Sequence, residues 1–269
     1  MNAQELDKGF SLTRTFYLLK NKVLEELPVP LIAAGVVFGL NLVFLLLGGE
    51  VPLNTRGASM GPVALWGLGI LLLGFYLASR AFKGMHGRTG TEWLLLPATI
   101  AEKYLAALVW LFVVWPVASA LGAMASSAAL AGLQFLGGED PGSIWHPFNR
   151  AGFDLLLGYW SLAPVLIAGS SVFRKNALAK TLGVVTAVVV VLMLIMVPLF
   201  MSIFGERDID GSFSYNNGVF LAAGNERLES LQGVVQAISN VWRFAILPGF
   251  ALAFAYFRAA EKEASDEVQ

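Results

Sequence analysis

The sequence predicts an all-α polytopic membrane protein. It reads as six transmembrane helices, with an N-terminal amphipathic helix in the membrane interface and a short helix on the loop between the second and third spans. Three observations predict this. Apolar residues are 57% of the chain and charged residues 14%, with mean hydropathy +0.68, where a soluble domain carries about 25% charged residues. Eighteen basic and 19 acidic side chains among 269 residues are too few to clothe a soluble surface, so lipid must solvate the rest. Uncharged runs recur at the length of a bilayer crossing, about 20 residues, and Lys and Arg gather on alternate loops.

The chain opens with MNAQELDKGF, which is too polar for a cleavable signal peptide. Residues 1–27 are expected to be a cytoplasmic amphipathic unit. Between Ser11 and Leu27, the residues Leu12, Phe16, Leu19, Val23 and Leu27 recur at steps of four and three. Arg14, Lys20, Lys22, Glu25 and Glu26 fill much of the remaining surface, as in a helix lying in the interface plane. Pro28 and Pro30 then turn the chain into the bilayer.

A six-span domain follows over 28–258, with spans at 28–49, 61–79, 104–126, 155–173, 181–204 and 237–257, and a cytoplasmic tail at 259–269. The third uncharged run, Tyr104 to Leu136, is 33 residues, too long for one crossing. It reads as a helix to about Ser126 and a short apolar segment at the outer surface. The last uncharged stretch, Phe244 to Phe257, is 14 residues. Extending it to Ala237 takes in Asn240 and Arg243, with Arg243 reaching for the outer headgroups.

Thirteen Lys and Arg fall on one side of these spans and five on the other. By the positive-inside bias this places both termini in the cytoplasm, in a bacterial-type inner membrane. The polar residues within spans are Asn41, Ser119, Ser126, Ser127, Ser161, Ser170, Ser171 and Thr186, each expected to bond a neighbouring helix. Gly35 and Gly39 form a small-x-x-x-small pair, suited to close helix contact at a dimer interface. So sparse a set of polar groups hints at an amphipathic or lipid-like cargo.

The loop after the second span carries the most specific pattern. A basic, glycine-broken stretch from Arg80 to Gly90 leads into Thr91-Glu92-Trp93-Leu94-Leu95-Leu96-Pro97. Thr91 suits a helix N-cap, Glu92 stands near the positive end of the helix dipole, and Pro97 interrupts the helix. Thr99 is a second candidate cap before Glu102-Lys103. Such an element fits a groove on a soluble partner, with Trp93, Leu94 and Leu95 as anchors and Arg88 and Glu92 as rim charges. Read without a partner, Trp93 and the leucines would sit at the headgroup level.

That loop resembles the one in ABC type-2 permeases, the membrane subunits of many ATP-driven exporters. Their second and third spans are joined by a G-T-x-E-x-L-L-x-x-P-like stretch and a Lys ahead of the third span. Here the match is Gly90-Thr91-Glu92-Trp93-Leu94-Leu95-Leu96-Pro97 followed by Glu102-Lys103, with spacing shifted by about one residue. The layout of interfacial helix, six spans and extended outer segment between the fifth and sixth is similar along nearly the whole chain. The resemblance implies that Arg88, Thr91, Glu92, Trp93, Leu94, Leu95 and Pro97 form a coupling helix docked on a separate ABC ATPase subunit. It further implies two ATPase copies holding ATP and Mg, and a second permease subunit, identical or different.

Several chemistries are disfavoured. Net charge is −1, so bulk electrostatics give no reason to expect nucleic-acid binding. No cysteine is present, and the two histidines, His86 and His146, are far apart in sequence. The chain has no G-x-x-x-x-G-K-[ST], H-E-x-x-H or G-x-S-x-G, so no catalytic residue, metal or cofactor is assigned to it. The middles of the five clearest spans lack Asp and Glu, which argues against ion coupling. Arg150 and Asp154 read as a structural i, i+4 pair. The alternatives are a polytopic enzyme acting on lipid, with Asp154, His146 and Arg150 converging in an outer pocket, and a structural membrane subunit without a transport role.

Overall fold

The structure is a computed structural model describing residues 10–32, 35–36, 39, 69–85, 98–137, 150–204, 213–216, 219–222, 234 and 236–266. Its helices are α1 (Leu12–Glu26), α2 (Gly74–Ala78), α3 (Ile100–Val109), α4 (Trp115–Leu136), α5 (Arg150–Val172), α6 (Ala177–Phe204) and α7 (Leu247–Asp266). π turns at Gly69–Leu73, Trp110–Val114 and Trp242–Ile246 precede α2, α4 and α7, and a 3-10 turn covers Lys83–Met85. The strands among the described residues form an antiparallel hairpin, β1 (Phe213–Asn216) and β2 (Val219–Ala222), which pairs Phe213 with Ala222. It lies in the extended outer segment expected between the fifth and sixth spans, where Phe, Tyr and Val favour strand.

Among the described residues, four helices are long and apolar enough to cross a membrane: Ile100–Leu133, Gly152–Val172, Ala177–Leu199 and Gln236–Glu263. They overlap the third to sixth expected spans. The first two fall mostly outside the described residues, which include only 28–32, 35–36 and 39 of one and 69–79 of the other. The helix expected to stop near Ser126 runs on to Leu136. Nothing between them breaks it, since the intervening Ala and Leu favour helix and a lone Gly132 is tolerated.

Two of the three π turns end two residues ahead of a proline. The sequence W-x-F-x-x-x-P occurs at Trp110–Pro116 and again at Trp242–Pro248, and a π turn spans the five residues from Trp in each. Having no N–H, Pro116 cannot donate to the carbonyls four and five residues behind it, Phe112 and Leu111. Two α5 side chains donate there instead: the Tyr159 hydroxyl to the Leu111 carbonyl (3.0 Å) and Trp160 Nε1 to the Phe112 carbonyl (3.3 Å). In an apolar setting an unpaired carbonyl is costly, so these bonds fix α5 against the π turn that joins α3 to α4.

The core lies between α2, α3, α5 and α7, around Leu77, Phe82, Trp110, Leu111, Tyr159 and Ile167. Ala255 and Ala259 are fully buried, so α7 approaches the other helices through small side chains. The tight approaches are at Gly74 and Gly169. A Cβ at Gly74 would meet the Tyr159 ring at 2.5 Å, and one at Gly169 would meet Thr181 Oγ1 at 1.7 Å. At Gly35 and Gly39 a Cβ would meet nothing within 4 Å in the single chain, which leaves both positions open for the contact expected at a dimer interface. Four of the serines expected to bond a neighbouring helix, Ser119, Ser161, Ser170 and Ser171, each donate to a carbonyl three residues back in their own helix. An acceptor on the same helix is always within reach of a serine hydroxyl.

Asn176, with φ of 53°, turns α5 into α6 in the left-handed region that Asn tolerates. Beyond Thr181, α6 loses contact with the core. Every residue from Val188 to Val197 is exposed, by 44–69%, and all ten are Val, Leu, Ile or Met. A helix apolar on all sides and exposed on all sides belongs in lipid or against another chain.

Candidate functional site

The segment with the strongest functional pattern, Arg88, Thr91, Glu92, Trp93, Leu94, Leu95 and Pro97, lies outside the described residues, as do His86 and His146. Its two flanks are described. On the entering side, Phe82 and Met85 are buried in the core, which anchors the 3-10 turn. On the leaving side, Thr99 caps α3: its hydroxyl accepts from the Glu102 amide (3.3 Å) while Glu102 Oε2 accepts from the Thr99 amide (2.9 Å). This reciprocal box satisfies two of the helix's orphan donors.

Glu102 reaches further than its own helix. Its side chain is fully buried, and Oε1 accepts from the Ser11 amide (2.5 Å) and pairs with Arg14 Nη2 at 3.0 Å. One carboxylate therefore caps α3 and holds the start of α1. Burial of such a charge is tolerated only when it is paired and hydrogen-bonded, as it is here. Trp110 Nε1 donates to Glu26 Oε2 at the other end of α1, and Lys22 pairs with Glu26 at 2.9 Å.

These contacts revise the expected face of α1. Arg14, Thr15, Leu19, Lys22, Val23 and Glu26 turn towards the protein, while Leu12, Phe16, Tyr17, Leu24 and Leu27 are exposed. Leu19 and Val23, expected on the lipid face with Leu12 and Phe16, pack on the core instead. The helix turns its paired charges inward because Glu102 and Trp110 need partners, and leaves an apolar face outward. That outward face is the one an interfacial helix presents to lipid.

The next residues of α3 bind the C-terminal helix. Lys103 Nζ pairs with Glu263 at 3.1 Å, and the Tyr104 hydroxyl donates to the Leu252 carbonyl (2.7 Å). The Tyr104 ring stacks on Phe82 (5.7 Å between centroids) and meets Tyr256 edge-on (5.4 Å). Thus Glu102, Lys103 and Tyr104 tie together α1, α7 and the turn that follows α2. Sequence reading marked Glu102 and Lys103 for their place before the third span. Their partners were hidden, since Ser11 and Glu263 are 91 and 160 residues away.

Elsewhere the expected pair does not form. Arg150 and Asp154 are both exposed, and no ion pair joins them. Among the described residues no group of three His, Asp or Glu is placed to hold a metal ion. Arg243 is exposed and lies over the Phe244 ring at 5.3 Å. Comparison with protein-family models, with curated proteins and with solved structures finds no match.

Proposed function

We propose that this chain is the membrane subunit of an ABC type-2 transporter. In this reading it is an exporter that moves an amphipathic or lipid-like substrate with ATP hydrolysed by a separate subunit. Six spans, cytoplasmic termini and placement in a bacterial-type inner membrane belong to the same proposal. So do a paired permease subunit and two ATPase chains that carry the ATP and Mg.

The observation that supports it best is the clasp at the start of α3. An element that takes force from a motor must pass it to helices as bodies, through packed and paired contacts with no slack. Residues 86–97 run between two fixed points, the buried Met85 and the Thr99–Glu102 cap. Through Glu102, Lys103 and Trp110 the second of these is bonded to α1 and α7. A push on Trp93 or Leu94 would therefore shift the interfacial helix and the third and sixth spans together. The resemblance of Gly90–Pro97 to a coupling segment supplies the identity of the pusher.

Co-purification tests this directly. In mild detergent an ATPase chain of about 25–35 kDa, the size of a single domain with its extensions, should accompany the protein. Isolation of the chain free of any nucleotide-hydrolysing partner, from cells expressing its native neighbours, would remove the assignment.

A further inference from the structure

A cleft of about 520 Å³ opens between α1, residues 80–84 and the first turns of α3. From the residues that line it we infer a binding site for an anionic phospholipid, with the phosphate held by Arg80 and Lys83. The inference rests on membrane embedding alone and holds whether or not the chain is a permease.

Charge comes first. Four cations line the cleft, Lys22, Arg80, Lys83 and Lys103, against the carboxylates of Glu25 and Glu26. Two of the cations already have carboxylate partners, Lys22 with Glu26 and Lys103 with Glu263. Among the described residues, Arg80 and Lys83 pair with no carboxylate. Arg80 is also held in place: its guanidinium lies 5.1 Å from the Tyr76 ring centroid, and Nη1 bonds the Tyr76 hydroxyl at 2.5 Å. A guanidinium fixed by one nitrogen keeps its other donors for a phosphate.

The remaining walls select a lipid over a free anion. Leu77, Phe82, Ala106 and Ala107 make an apolar floor beside the cations. Inorganic phosphate gains nothing from such a floor, whereas the glycerol and first acyl carbons of a phospholipid bury against it. The cleft also sits where lipid headgroups are expected, at the charged end of helices that are otherwise apolar, beside the outward apolar face of α1. Basic pockets between transmembrane helices at this depth hold anionic headgroups.

Native mass spectrometry of delipidated protein tests the proposal, with phosphatidylglycerol and phosphatidylcholine added in equal amounts. Phosphatidylglycerol should be retained in preference, and each of Arg80→Gln and Lys83→Gln should weaken its retention by about fivefold while leaving phosphatidylcholine unchanged. Arg80→Lys keeps the charge and should retain most of the preference, which separates lost charge from lost fold. Equal retention of the two lipids, or wild-type retention by the Arg80→Gln/Lys83→Gln double variant, would overturn the site. Full displacement of phosphatidylglycerol by millimolar inorganic phosphate would also overturn it, pointing to a soluble phosphate ester as the occupant.

Discussion

Arg14 and Glu102 form a 3.0 Å ion pair in which the carboxylate is wholly removed from solvent and the guanidinium side chain is 18% exposed. The same carboxylate closes the N-terminal cap of α3 and accepts the Ser11 amide. A single buried charge thus decides where α1 sits on α3.

Removing one partner leaves the other buried and uncompensated. Arg14→Met should cost about 3 kcal/mol, in the range for broken buried pairs. Thermal unfolding in detergent measures this. In a double-mutant cycle with Glu102→Gln the double variant should lose less than the sum of the singles, and strict additivity would contradict direct pairing.

The close approach of α5 and α6 makes a second test. Gly169→Ala places a methyl against Thr181, whose Oγ1 and Cβ lie 1.7 and 2.7 Å from the new carbon. The cost should be about 1–3 kcal/mol, read as a lower unfolding temperature. Gly35→Ala, with open space around it, should leave the unfolding temperature of the single chain unchanged.

Pro116 and its two compensating donors predict a conditional effect. Tyr159→Phe strands the Leu111 carbonyl and should cost about 1–3 kcal/mol, as should Trp160→Phe for Phe112. In a Pro116→Ala background the restored N–H supplies one donor, and the penalty at the carbonyl it pairs with should shrink by more than half. Equal penalties in both backgrounds would show that the carbonyls are not the reason these side chains are needed.

The absence of native cysteine permits labelling without background. Val189→Cys, Leu192→Cys and Ile195→Cys sample different sides of α6, each exposed in the structure. All three should resist a water-soluble maleimide in intact membranes, while Lys20→Cys and Lys262→Cys react only once the cytoplasmic side is opened. Ready labelling of any α6 position from outside would contradict its placement in lipid.

Much of this was legible along the chain, and the reasons for the rest are physical. Charge-free runs located the four long apolar helices because burying a charge in lipid is costly wherever it occurs. The bounds of α1 follow from its local period, and Thr99 was legible as a candidate cap, whereas the reciprocal bond from Glu102 shows only in the structure. The direction α1 faces did not follow, because Arg14 and Glu26 answer to Glu102 and Trp110, which are distant in sequence. Pro116 is visible in the sequence, but Tyr159 and Trp160, which supply its missing donors, are 48 residues downstream of the carbonyls they bond. The close approaches within the chain, at Gly74 and Gly169, are revealed only by the packed neighbours Tyr159 and Thr181.

The central claim is that a partner's motion enters through Trp93 and Leu94 and passes to the helices clasped by Glu102 and Lys103. It is tested by measuring ATP hydrolysis and substrate movement side by side in proteoliposomes holding the protein and its ATPase, with Trp93→Ala/Leu94→Ala against wild type. The account predicts that transport is lost while the protein stays inserted and hydrolysis no longer responds to substrate. Transport and substrate-stimulated hydrolysis at wild-type levels in that variant would contradict it.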